Sequence, residues 1–110
     1  MKPKQTNILL VEDDANLSIV LADYLRSKDY VVENATNGKE AWDLLLVKRY
    51  DLVISDIMMP KMNGFELLKL IRSQYLDLPV VMLTAKIDRD DVLRAYELGC
   101  DDYVTKPFSM

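Results

Sequence analysis

The sequence predicts an α/β fold, a doubly wound five-stranded parallel sheet with helices on both faces. Two observations lead to it. Apolar runs of strand length alternate with amphipathic helical patterns, joined by short connections with no internal linker. The runs Leu52-Val53-Ile54 and Pro79-Val80-Val81-Met82-Leu83 are apolar on both faces, as strands buried in a parallel sheet are. In such sheets ligands bind beyond the carboxyl ends of the strands. A third feature fits that rule: several runs end at charged or hydroxyl residues.

Thr6 to Val11 is the first strand, and Glu12-Asp13-Asp14 follows it directly. Leu17, Val20, Leu21, Tyr24 and Leu25 then recur at helical spacing, which predicts an amphipathic helix buried along that stripe, with Asp23, Arg26 and Lys28 outside. Tyr30 to Glu33 is a shorter second strand. Thr36 or Asn37 can cap a helix whose Ala41, Leu44 and Leu45 face inward and which ends before Tyr50. The third strand is the central one and delivers Asp56 to its carboxyl end. Pro60 and Asn63-Gly64 break the chain before a helix carrying Phe65, Leu68 and Ile71. Pro79 to Leu83 is the fourth strand, ending at Thr84-Ala85-Lys86. A helix from about Arg89 to Leu98 stops at Gly99, a residue suited to a left-handed cap. Asp102 to Thr105 is the fifth strand, followed by Lys106-Pro107. A fifth helix would be expected to begin where Met110 stands.

The 110 residues suffice for one domain with a single core, and half of them are hydrophobic, so the chain should fold. A net charge of -4 argues against nucleic-acid binding by this domain, because duplex binding relies on Lys and Arg neutralising phosphates. The polar start and the short first strand give neither a signal peptide nor a membrane span. Cys100 is the single cysteine and can form no internal disulfide, which fits a reducing cytoplasm. With no histidine, chemistry falls to carboxylates, lysines and hydroxyls.

The strand ends supply Glu12 and Asp13, then Asp56, Thr84 and Lys106. If the strand order is 2-1-3-4-5, the first and third strands are neighbours and three carboxylates share one pocket. Crowded like charges favour a neutralising cation, and oxygen ligands alone favour Mg²⁺ over zinc or copper. A carboxylate can attack phosphorus to form an aspartyl phosphate, and the metal, the Lys106 ammonium and the Thr84 hydroxyl could each take up phosphoryl charge. Each residue taken singly has a plainer reading. Glu12-Asp13 could be a solvated turn or a helix cap, Asp56 a turn residue, Thr84 a strand terminus and Lys106 a solvated lysine. Their arrival together at successive strand ends favours function. Asp14 and Asn16 read as caps and Trp42 and Cys100 as structural. Met58-Met59 reads mainly as packing, with Met58 near enough to Asp56 to offer a backbone carbonyl.

Four stretches together resemble the receiver domain of bacterial two-component response regulators. They are Ile8-Leu-Leu-Val-Glu-Asp-Asp14, Asp51-Leu-Val-Ile-Ser-Asp-Ile-Met-Met-Pro-Lys-Met-Asn-Gly64, Val81-Met-Leu-Thr-Ala85 and Gly99-Cys-Asp-Asp-Tyr-Val-Thr-Lys-Pro-Phe108. The resemblance covers about Asn7 to Phe108 and implies the flavodoxin-like sheet order 2-1-3-4-5. It makes Asp56 the phosphoacceptor, Asp13 a direct metal ligand, Glu12 a ligand through water and Met58 a main-chain oxygen donor. Thr84 and Lys106 match the phosphate-contacting hydroxyl and ammonium, Tyr103 the switch aromatic, and Lys106-Pro107 a cis peptide bond. The implied activity is Mg²⁺-dependent transfer of a phosphoryl group from a sensor histidine kinase to Asp56, later removed by water. The domain is then a signalling switch that catalyses only its own phosphorylation and dephosphorylation, changing the face formed by the fourth helix and fifth strand. The final stretch resembles the subfamily with a winged-helix DNA-binding output domain, which would make this chain one piece of a longer regulator, ending before its fifth helix. That subfamily pairs through the fourth helix, fifth strand and fifth helix, so a homodimer on phosphorylation is a further implication. Two other classes remain. A Mg²⁺-dependent phosphatase with an aspartate nucleophile would want a second acid where Met58 stands. A flavin-binding module would want a glycine- and hydroxyl-rich loop where Glu12-Asp13-Asp14 stands.

Overall fold

The computed structural model describes residues 5–84 and 89–105. Strands and helices alternate in the order β1 (Asn7–Val11), α1 (Ala15–Ser27), β2 (Val31–Ala35), α2 (Gly38–Val47), β3 (Leu52–Asp56), α3 (Gly64–Gln74), β4 (Val80–Thr84), α4 (Arg89–Glu97) and β5 (Asp102–Thr105). The five strands form one parallel sheet in the order β2-β1-β3-β4-β5, as predicted.

Short polar side chains start the helices by accepting the amide protons that the first turn leaves unpaired. Asp14 caps α1 by accepting from the amides of Asn16 and Leu17. Asn37, rather than Thr36, caps α2 through the amide of Glu40. At α3, Asn63 and Glu66 form a reciprocal capping box. Beyond α4, Gly99 takes φ of 101°, the left-handed conformation that its lack of a β-carbon allows.

Two apolar layers hold the helices to the sheet. On one face Ala41 and Leu45 of α2, Phe65, Leu67, Leu68 and Ile71 of α3 and Ala95 of α4 pack on Leu9, Val11, Val53, Val80 and Met82. On the other, Leu21 and Ala22 of α1 pack on Ile8, Leu10, Val32 and Leu83, with Leu52, Ile54 and Val104 half-buried around them. Trp42 and Tyr75 meet edge to face at 6.2 Å between α2 and the end of α3, and Cys100 is buried, so both predicted structural residues are structural.

The predicted stripe of α1 is corrected by one step. Ser18, Leu21 and Ala22 are the buried positions, whereas Val20 and Tyr24 are 50% and 37% exposed. Apolar residues occupy both sides of this helix, and Ser18 is small enough to sit against the sheet, so hydropathy alone misplaces the phase. Likewise β2 begins at Val31 rather than Tyr30 and continues through Glu33 and Asn34 to Ala35, because pairing with β1 extends it beyond its apolar residues.

Candidate acidic phosphoacceptor site

The register of the two central strands brings the acids together. Val11 pairs with Ser55, so Glu12 and Asp56 leave adjacent strands at the same level. Carboxylate oxygens of Glu12, Asp13 and Asp56 lie within 4.8 Å of one another. Glu12 and Asp56 are buried and Asp13 is exposed, so the cluster has two walls and an open side. The alternatives left open for Glu12-Asp13 are narrowed, since the cap of α1 is Asp14. Glu12 is fixed by its own contacts: its amide donates to the carbonyl of Ala35 at 3.0 Å, and its Oε2 accepts from the amide of Asp14 at 3.0 Å.

Asp56 is held from the next residue. Its Oδ1 accepts from the amide of Ile57 at 2.7 Å, which sets the rotation of the carboxylate. The hydroxyl of Ser55 donates to the carbonyl of Asp56 at 2.9 Å. The amide of Gly64 donates to the carbonyl of Ile57 at 2.8 Å, and a β-carbon at Gly64 would overlap the Asp56 carbonyl oxygen. Glycine is therefore needed where α3 starts against the end of β3. The sequence marks Asn63-Gly64 as a break; the close backbone approach is a tertiary fact.

Thr84 is buried at the end of β4, one residue past Leu83, the partner of Asp56. Tyr103 lies half-buried on β5 opposite Met82 and packs against the layer under α3 and α4. Met58 follows Ile57 with 58% of its surface exposed. Lys106, Lys86 and the Lys106-Pro107 bond lie outside the described residues.

The cluster offers only oxygen ligands, two of them buried, in a chain without histidine. That donor set suits a hard divalent cation, which relieves the mutual repulsion of the carboxylates. The open cleft at the opposite end of the strands, lined by Asn7, Tyr50, Asp51, Tyr75, Leu76 and Pro79, contains no such grouping among the described residues.

The family model for the response regulator receiver domain matches residues 8–110. The chain belongs to this family. The transcriptional regulatory protein RprY of Bacteroides fragilis is 42% identical over 107 residues, covering 97% of this chain and 45% of that protein. The response regulator SaeR of Staphylococcus aureus is 41% identical over 104 residues, covering 94% of this chain and 45% of SaeR. This receiver domain thus spans about half the length of the curated relatives it matches. The non-phosphorylated HemR receiver domain from Leptospira biflexa superimposes with a TM-score of 0.90 at 39% identity, covering 96% of this chain and 85% of that one. The fold is that of a signalling switch, and no helix among the described residues is long and apolar enough to cross a membrane.

Proposed function

We propose that this receiver domain takes a phosphoryl group from the phosphohistidine of a sensor histidine kinase onto Asp56, in a Mg²⁺-dependent reaction. The observation that carries the reading is the meeting of the Glu12, Asp13 and Asp56 carboxylates within 4.8 Å at the ends of adjacent parallel strands. An Asp56 oxygen forms the new bond to phosphorus as the bond to the kinase imidazole breaks, and the imidazole leaves with that electron pair. Phosphoryl transfer depends on in-line positioning and counter-charge more than on a general base. The Ile57 amide orients Asp56 for in-line attack.

Asp13 would hold Mg²⁺ directly, Glu12 through water, Asp56 itself as a ligand and Met58 through its main-chain oxygen. Bound Mg²⁺ supplies counter-charge to the phosphoryl oxygens. The Thr84 hydroxyl and the Lys106 ammonium share that task. When Thr84 moves toward the phosphoryl group, the Tyr103 ring turns inward, and the face of α4 and β5 changes for the output. Support for a movable α4 is its shallow seat, with Ala95 its one buried residue.

RprY is a transcriptional regulator and this chain spans 45% of it, which supports a longer parent with a DNA-binding, winged-helix output domain. In that parent the domain acts in the cytoplasm as a phosphorylation-driven homodimer and does not itself bind DNA. It catalyses only its own phosphorylation and dephosphorylation.

Intact mass after incubation with acetyl phosphate tests the reading. The expected result is gain of a single phosphoryl group that requires Mg²⁺ and is absent in Asp56→Ala. Gain in Asp56→Ala would move the acceptor elsewhere. Continued release of phosphate over many turnovers would favour the aspartate-nucleophile phosphatase instead.

A further inference from the structure

We propose that Gly38, the first residue of α2, is a positioning residue for the loop that carries Met58, and through it for the cation affinity of the acidic cluster. The proposal rests on the receiver reading above. The loop, residues 57–63, runs from the acceptor strand to α3. Within it Lys61 has φ of 68°, and the amide of Met62 donates to the carbonyl of Pro60 at 2.8 Å. That is a three-residue turn of the rare, strained hand. Such a conformation persists only where its surroundings over-determine it.

Part of the support comes from α2. The amide of Gly38 donates to the carbonyl of Met62 at 3.1 Å. A β-carbon at position 38 would lie 2.5 Å from that carbonyl oxygen, 2.8 Å from Met62 Cβ and 2.9 Å from Met62 Cγ. Any other residue must therefore displace either α2 or the loop. α2 resists: Asn37 is buried and caps it through Glu40, and Ala41 and Leu45 are in the core. The loop ends resist as well, since Ile57 is buried and Gly64 is fixed against β3. Exposed Met58, Pro60 and Lys61 lie between these fixed points, so the displacement falls on the segment whose main-chain oxygen at Met58 would serve the cation.

The test compares Gly38→Ala with Leu45→Ala, a core truncation on the same helix that leaves the contact at residue 38 intact. Calorimetric titration with Mg²⁺ and the rate of phosphorylation by acetyl phosphate are the readouts, beside Tm. Gly38→Ala is expected to weaken Mg²⁺ binding by roughly tenfold, as loss of outer support around a metal site does, and to slow phosphorylation. Leu45→Ala is expected to lower Tm while Mg²⁺ affinity stays that of the unsubstituted chain. Coupling is reciprocal, so Mg²⁺ should also slow hydrogen exchange of the Gly38 amide in the unsubstituted chain, a reading that stands even if Gly38→Ala fails to fold. Unchanged Mg²⁺ affinity in Gly38→Ala, equal weakening in Leu45→Ala, or an exchange rate indifferent to Mg²⁺ would overturn the positioning role alone. Absence of Mg²⁺ binding by the unsubstituted chain would overturn the proposed Mg²⁺-dependent phosphotransfer, and this proposal with it.

Discussion

Single residues set the charge balance at the acidic end of the sheet and along its edge strand β2. At the acidic end, Glu12, Asp13 and Asp56 bring three carboxylates within 4.8 Å, and a divalent cation bound there is expected to stabilise the fold. Mg²⁺ at about 100 times its Kd is expected to stabilise the fold by about 2.7 kcal/mol. Asp13→Asn should raise Tm without the metal and abolish most of its effect, which thermal melts with Mg²⁺ and with EDTA would check. On the edge strand, Lys48 donates to both oxygens of Glu33 at 2.9 Å, and the Tyr50 hydroxyl donates to Oε1 at 2.8 Å. The Lys48 contact holds the Glu33 carboxyl below its ordinary range, against the opposing effect of burial. Its stabilisation is therefore full above the unfolded pKa of 4.5 and is lost as pH falls through the lower folded value. Burial, then the Glu33 carboxylate, pushes the Tyr50 phenol up, so its contribution fades as pH rises above 10. Glu33→Gln should cost about 1 kcal/mol or less at neutral pH, the pair being partly solvated. Its urea midpoints should also vary less with pH below 4.5 than those of the unsubstituted chain. Equal pH dependence in the two would refute the assignment.

Among the elements, α3 is the one most firmly tied to its neighbours. Arg72 near its end donates Nε to the carbonyl of Gly99 at 2.7 Å and Nη1 to the carbonyls of Tyr75 at 3.1 Å and Leu78 at 2.6 Å. Its Nη2 pairs with Asp101 at 2.8 Å, and Asp101 also accepts from the amide of Val80. One side chain thus joins the end of α3, the start of β4 and the turn after α4. The Arg72 side chain is only 16% exposed, so Arg72→Met would strand carbonyls that have little water to turn to. We expect a loss of about 2 kcal/mol, measured by urea unfolding, with Mg²⁺ affinity unchanged because the brace lies away from the acids. Nothing in the sequence marks Arg72 for this role, since its partners come from three separate segments. The helix caps differ in this respect. Asn63 and Glu66 form their box within four residues and are readable directly, and Asn63→Ala should cost about 1 kcal/mol. The phase of α1 was not readable, because Ile19 and Val20 are as apolar as the residues that face the sheet and are nonetheless exposed.

For the whole molecule, stability rests on two apolar layers separated by one sheet, and β1 contributes to both through Leu9 and Leu10. Leu9 is fully buried at the centre of that arrangement. Leu9→Ala should cost about 3 kcal/mol by lost transfer energy and an unfilled cavity, seen as a lower urea midpoint with an unchanged slope. A loss under about 1 kcal/mol would mean that the site collapses easily and the layer is less tightly packed than its burial indicates.

The alternation of elements, the class of sheet, the residues at the strand ends and the family they resemble are all legible in the chain. These follow from local matters: periodicity, turn residues and the position of a charge at the end of an apolar run. The strand order and the meeting of Glu12, Asp13 and Asp56 were expected from the fold class and the family resemblance; tertiary structure supplied the register and the 4.8 Å spacing that realise them. It also decided which face of α1 is buried, and that a β-carbon at Gly38 would strike the carbonyl of Met62 and one at Gly64 the carbonyl of Asp56. Such contacts join residues far apart in the chain, and their distances depend on the packing of every layer between them, which no local pattern encodes.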